Sequence, residues 1–277
     1  EQCVMERYFN MSIESGNRIR AGLSDAVKKT MEVIGNAVVR GDGEGSEIIR
    51  KAIDDGSIDA SVLNKELIHF IYRLLFLFII EERNLVYQIP SDDKHPDYQR
   101  LCRYQEIYKK FYSASRLRYL SEQNYLKNRH YCDIWQGLLE TFRLFESDGF
   151  GEKIGIKPLG GVLFNEDTLH YIKKCKVNNA DLLIAFSALN EFTDERGNRV
   201  KINYSSLDVE EFGSVYEGIL EMRPYITKSP TPHSWEFGYV GGLDRNSTSS
   251  YYTRPDLVQS LIKTTLEPVI KEKISKY

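Results

Sequence analysis

The chain has little of what usually starts an enzyme assignment. Its four cysteines, Cys3, Cys102, Cys132 and Cys175, are spread over 277 residues, with no C-x-x-C pair and no histidine beside them at metal-ligand spacing. That pattern excludes a zinc module and fits four reduced, mostly buried thiols in a cytoplasmic protein. The five histidines, His69, His95, His130, His170 and His233, are scattered. His69 falls on an apolar stretch, where a structural role is expected. There is no Gly-rich phosphate loop, no G-x-G-x-x-G, no G-x-S-x-G elbow and no H-E-x-x-H. A metal-dependent nuclease needs an acidic pair and a lysine on adjacent strands to hold Mg²⁺ and activate water. The sole D-x-K, Asp92-Asp93-Lys94, lies in a polar loop without strand-like flanks. No catalytic residue and no metal ligand is therefore assigned.

Long apolar runs are also missing. The most apolar segment, Leu74-Leu75-Phe76-Leu77-Phe78-Ile79-Ile80, is bounded by Arg73 and by Glu81-Glu82-Arg83. It falls far short of the roughly 20 residues a membrane span needs, so it reads as a buried core helix. Residues 1–20 carry Glu1, Glu6, Arg7 and Glu14, unlike a signal peptide. The chain starts with Glu1 rather than Met, as a piece of a longer protein would. A net charge of −3 argues against the whole chain being a sleeve for nucleic acid, although a local basic surface stays open.

What is present is a globular, helical pattern, with 42% hydrophobic and 28% charged residues. Ile19, Leu23, Val27, Met31, Ile34 and Val38 recur at threes and fours, predicting an amphipathic helix over 17–40. Gly41-Asp42-Gly43-Glu44-Gly45 breaks it. A short helix at Glu47–Ile53 follows, and then a strongly apolar helix capped by Ser61 and reaching Leu85. A solvated loop spans Pro90 to Pro96. Helices are expected at 98–120, 132–146 and 179–192, with glycines and Pro158 marking 148–165 as a loop holding a short strand at Val162–Phe164. Residues 199–204 read as a strand. Ser206 is placed as the N-cap of a helix to Met222, residues 224–245 as a loop and small β-hairpin, and 255–274 as a last helix that Pro268 can kink.

One segment carries an uneven charge. Residues 98–131 hold Arg100, Arg103, Lys109, Lys110, Arg116, Arg118, Lys127 and Arg129 against Glu106 and Glu122, interleaved with tyrosines. Two readings are open: aromatics in the core with cations on a wet face, or cations in contact with DNA phosphates. Arg100, Arg103, Lys109, Lys110, Arg116 and Arg118 are the DNA-contact candidates. The acidic stretch 190–221 reads as a solvated or inter-domain face. Glu217 beside Gly218 in mid-helix suggests close packing or a polar contact across an interface.

Three stretches resemble signatures that occur in this order in one family. They are Tyr72–Arg83 (YRLLFLFIIEER), Phe212–Glu221 (FGSVYEGILE) and Ser250–Val258 (SYYTRPDLV). Weaker likenesses lie at Ser115–Arg118, Asp133–Trp135 and Pro158–Phe164. Together they resemble large bacterial restriction–modification and phage-defence enzymes, type IIG-like chains with a gamma-class N6-adenine DNA methyltransferase. The likeness covers nearly all of the chain from about residue 20. It implies a mainly α connector with minor hairpin and strand elements, ending at the start of a Rossmann-like methyltransferase domain. The expected parts are N-terminal helices at 1–60, a helical core at 61–147, helices with small β elements at 148–243, and a cofactor-closing loop with its first helix at 244–277.

The resemblance assigns Tyr251, Tyr252, Thr253 and Pro255 to S-adenosylmethionine, Thr253 at the position that holds the cofactor's carboxylate. A helix start at Pro255 suits an anion. An ordinary loop capping a helix would look the same. The chain has Ser250 where the family has Gly, and Arg254 where it has Pro, so the turn geometry departs from the family's. The family's cofactor loop and its Asn-Pro-Pro-Tyr tetrapeptide are absent from this sequence. The expected role is thus a non-catalytic piece of the parent enzyme, acting with DNA and with the remaining methyltransferase domain in cis. The alternative is a stand-alone helical module that binds DNA or protein through 98–131.

Overall fold

A computed structural model describes residues 4–147, 149–193, 197–207, 209–240 and 255–275. The chain is mainly helical, with two small antiparallel hairpins. Its centre is the helix α3 defined below, because that helix is apolar on nearly every side. A helix without a polar face must be covered all round.

The first helix, α1, runs from Val4 to Arg40, well beyond the start expected from its apolar spacing, and α2 spans Glu44–Asp54. The helix α3 covers Ala60–Glu82. Its cap is Asp59 rather than Ser61. The Asp59 carboxylate accepts from the N–H groups of Ser61 (2.9 Å) and Val62 (3.0 Å), the acceptor role for which a carboxylate at this position is best suited. Leu63, Leu67, Phe70, Ile71, Leu74, Leu75, Leu77 and Phe78 are all buried. At its end Asn84 takes a left-handed φ of 54°, so that the Asn84 and Leu85 N–H groups bond back to the carbonyls of Glu81 (3.0 Å) and Ile80 (2.7 Å).

The expected helix over 98–120 is two helices, α4 (Tyr98–Ile107) and α5 (Ala114–Ser121). A π-helical turn at Tyr108–Tyr112 and the cap Ser113 separate them. The break has a tertiary cause that spacing does not reveal: Glu81 of α3 captures the first N–H groups of α5. Next come α6 (Asp133–Arg143) and α7 (Asn179–Asn190), close to expectation. The strand expected at Val162–Phe164 is not formed. The carbonyls of Leu163 and Asn165 are instead taken by the Arg73 guanidinium.

Strand β1 (Glu191–Thr193) pairs with β2 (Arg199–Lys201), which covers the first half of the expected 199–204 strand. Tyr204–Ser206 then form a 3₁₀ turn, in which the Ser206 hydroxyl donates to the Asn203 carbonyl instead of capping α8 (Val209–Leu220). The expected hairpin is present as β3 (Arg223–Thr227) and β4 (Glu236–Val240), with Tyr225 opposite Gly238. It lies against α1. Asn36 bonds both backbone groups of Phe237 (2.8 and 3.1 Å), closing an otherwise open strand edge. A side chain at Gly35 would strike the Phe237 ring, so this glycine sets how closely helix and hairpin meet. Gly218 likewise faces Ser24 of α1, the close packing suggested by its place beside Glu217.

One hydrophobic core runs continuously from Leu23 to Tyr239, across the boundaries expected at residues 60 and 147. Phe70 packs on Trp135 and Phe142 with centroids 5.3 and 5.6 Å apart, while the Trp135 indole donates to the Cys175 carbonyl. The final stretch is α9 (Pro255–Leu261), a π turn at Ile262–Leu266 and α10 (Glu267–Ser275). Pro268 cannot donate to the carbonyl four residues back, and its ring crowds that position. The wider turn just before it gives the ring room. No helix among the described residues is long and apolar enough to cross a membrane.

Candidate functional site

Four charged residues of α3, Glu66, Arg73, Glu81 and Glu82, are set in an apolar helix, and each is bonded to backbone groups of other segments. Arg73 is 1% exposed. It donates to the carbonyls of Leu163 (2.8 Å) and Asn165 (2.7 Å), to Thr168 Oγ1 (2.9 Å) and to Glu146 (2.7 Å). The rings of Phe142 and Phe164 flank it. Burial lowers its pKa, and the Glu146 carboxylate opposes that shift. Glu66 accepts from the N–H groups of Tyr171 and Ile172, both at 2.9 Å.

At the C-terminal end of α3 the same device recurs three times. Glu81 accepts from the Tyr108 hydroxyl (2.6 Å) and from the N–H groups of Ala114 (2.8 Å) and Ser115 (2.7 Å). Those amides open α5, where a carboxylate is favoured by the free donors and by the helix dipole. Burial raises its pKa, opposed by these hydrogen bonds. Glu82 pairs with Arg118 and accepts from Ser205 N–H (3.0 Å). Arg83 donates to the carbonyls of Ser205 (3.0 Å) and Leu207 (2.6 Å).

Beside this cluster is a cavity of about 280 Å³, lined among others by Glu81, Asn84, Tyr87, Gln105, Tyr108 and Lys109. The π turn shapes it, because the Ser113 N–H reaches back to the Tyr108 carbonyl (2.9 Å). Three donors engage Glu81, two of them the amides that open α5, which suits it to hold a helix start. Lys109 is exposed and reaches the Asn84 amide oxygen at 3.3 Å.

The six basic candidates therefore divide. Arg100, Arg103, Lys109 and Lys110 are exposed, with Arg100 paired to Asp97 at 2.7 Å and Lys110 over the Phe111 ring. Arg116 is half-buried, its Nε without a partner among the described residues, and burial lowers its pKa. Arg118 is 11% exposed. Besides Glu82 it donates to Asn190 (3.1 Å) and the Ile202 carbonyl (2.8 Å), and it lies over the Phe78 and Tyr204 rings. Its guanidinium is enclosed by the fold and does not face a phosphate. Of the cofactor candidates, Tyr251, Tyr252 and Thr253 lie outside the described residues, and Pro255 is the first residue of α9. Among the described residues no three His, Cys, Asp or Glu converge as metal ligands.

A second, larger concavity was not legible in the sequence. It is a groove of about 1040 Å³ along α1, floored by Lys29, Glu32, Val33, Asn36, Ala37 and Arg40. Arg129 to Cys132 line it from one loop, Lys176 and Asn178 from another, and Asp181 and Ile184 from α7, with His233 at one end. Four stretches far apart in the chain supply it, so no local pattern announces it. Comparison with protein-family models, with curated proteins and with solved structures finds no match to this chain.

Proposed function

We propose that this chain is the helical connector of a bacterial adenine-specific DNA methyltransferase of the restriction–modification or phage-defence kind, acting in the cytoplasm. It links an upstream segment, such as a nuclease, to an S-adenosylmethionine-dependent domain and performs no methyl transfer itself. The observation that carries this reading is a contact between two of the resembling stretches, about 140 residues apart. The Tyr72 ring sits edge-on to Phe212 (5.1 Å) and to Tyr216 (5.6 Å). The weaker stretches attach to the same helix: Leu163 through Arg73, Ser115 through Glu81, Arg118 through Glu82, and Trp135 through Phe70. Signatures scattered in sequence that lock onto one helix are what a shared rigid mount requires.

The last helices support the same reading. Leu257, Leu261, Leu266, Val269 and Ile274 are 50–70% exposed. An amphipathic helix with its apolar residues in water is suited to pack against a further domain. In the parent enzyme Tyr251, Tyr252, Thr253 and Pro255 would line the S-adenosylmethionine pocket, and the target DNA would be held chiefly by other domains. The test is genetic and chemical together. Disrupting the gene should erase N6-methyladenine at one sequence motif of the host genome, while the purified chain should transfer no labelled methyl group from S-adenosylmethionine to DNA. An unchanged methylome, or label on the DNA from this chain alone, would overturn the proposal.

A further inference from the structure

The groove along α1 gathers cations that the fold leaves unused. Lys29, Arg129 and Lys176 are exposed, and none has an ion pair or side-chain hydrogen bond among the described residues. Arg40 spends its Nε on the Trp235 carbonyl (2.6 Å) and keeps its terminal nitrogens. The floor from Lys29 to Arg40 is one face of α1, twelve residues whose eleven steps span roughly 16 Å at 1.5 Å per residue. Cations therefore stand at both ends of the floor and on the opposite wall. Three carboxylates share the groove. Asp42 faces His233 at 3.8 Å, Asp181 accepts from the Asn178 amide at 2.7 Å, and Glu32 lies near enough to Tyr225 and Tyr239 to act on both hydroxyls through its charge. Tyr131 lines the groove and is 63% exposed, and Tyr125, six residues earlier, is 80% exposed.

We propose that this groove binds single-stranded nucleic acid. The separated cations suit the phosphates of one strand running along the helix face. Tyr131 supplies an exposed ring on which an unpaired base can stack. Glu32 disfavours a plain polyanion but can accept from the amino groups that cytosine and adenine expose when unpaired. The groove is distinct from the candidates at 100–118, and the inference stands independently of the methyltransferase reading.

The test is fluorescence anisotropy with a labelled oligo-deoxycytidine of about 15 nucleotides, within the site sizes common for single-strand binders. Binding should weaken with salt. In the triple variant Lys29→Gln/Arg129→Gln/Lys176→Gln the affinity should fall about tenfold or more at low salt, and the slope of log affinity against log salt should shrink by about 2, at roughly 0.7 per phosphate. Tyr131→Ala should weaken binding about fivefold at an unchanged slope. The companion variant Arg103→Gln/Lys110→Gln should bind like the parent. The proposal is overturned if the parent does not bind, if the triple variant binds as well as the parent, or if a duplex or heparin competes equally with the strand. None of these outcomes depends on whether the host genome loses N6-methyladenine.

Discussion

The cations around α3 and the cations along α1 belong to one chain of modest net charge, yet they are opposites. Arg73, Arg83 and Arg118 lie in or beside the stretch that stands out in sequence, and each is consumed by backbone carbonyls and carboxylates of its own fold. Lys29 and Lys176 sit in unremarkable sequence and Arg129 at the end of the basic 98–131 segment, and none of the three has an ion pair or side-chain hydrogen bond among the described residues. The 98–131 pattern thus holds both kinds, the enclosed Arg118 and the exposed Arg129, and charge patterning alone does not tell them apart. The α3 charges sit among apolar neighbours because a largely apolar helix has to organise the polar backbone of the loops that cover it, and buried carbonyls and amides need partners.

This contrast is tested most severely at Arg73. Arg73→Ala takes the buried donor from the Leu163 carbonyl, Thr168 and Glu146, removes one of three donors to the Asn165 carbonyl, and empties space between two phenylalanines. Removing one member of a buried pair costs about 3–5 kcal/mol, so urea denaturation should show a loss of roughly 4 kcal/mol. A loss below about 1 kcal/mol would mean that the loop at 163–168 is held by something else. Arg118→Lys should cost less, roughly 2 kcal/mol, because an ammonium keeps the charge but cannot reach Glu82, Asn190 and the Ile202 carbonyl together. A fully neutral effect there would return Arg118 to the set of free surface cations.

Glu81 offers a subtler measure. Its folded pKa lies above its unfolded value, so its contribution to stability is fully present below the unfolded pKa and is lost as pH rises through the folded one. Glu81→Gln removes that dependence. The stability gap between parent and variant should narrow as pH rises from about 4, near the unfolded carboxyl value, toward neutrality. A gap that widens with pH would show that the α5 amides and Tyr108 favour the carboxylate more than burial opposes it.

Much of the helical framework was legible because it is periodic. The apolar spacing of Leu23, Val27, Met31, Ile34 and Val38 gave α1 its buried face, and the unbroken apolar run gave α3 its central place. The hairpin of β3 and β4 was also anticipated, from the prolines and alternating aromatics around Trp235. What the sequence hid is what long-range contacts decide. The division of 98–120 into α4 and α5 depends on a carboxylate from Glu81, and the missing strand at 162–164 on a guanidinium from Arg73. Asp59 displaced Ser61 as cap because both are competent side chains and only the chain geometry chooses between them. Of the candidate basic residues, helical spacing could not separate the enclosed Arg118 from the exposed Lys110. The groove was beyond reach for the same reason, since Lys29 and Lys176 are 147 positions apart and line one groove only once α7 lies on α1.

The smallest expected effect is the sharpest complement to the largest. If the groove cations are truly uncommitted, the triple substitution Lys29→Gln/Arg129→Gln/Lys176→Gln should leave the unfolding free energy within about 0.5 kcal/mol of the parent, as exposed positions without partners generally do. A slight gain is consistent too, because removing mutually repelling cations relieves unfavourable Coulomb energy in a medium of high dielectric. The slope of unfolding against urea should not change, since no buried surface is involved. A loss above about 1 kcal/mol would place these residues in the structural class with Arg73 and would erase the difference between the two regions. Stability held constant while affinity for a single strand collapses would establish that difference in one protein by two measurements: charges around α3 hold the fold, and charges along α1 serve a partner.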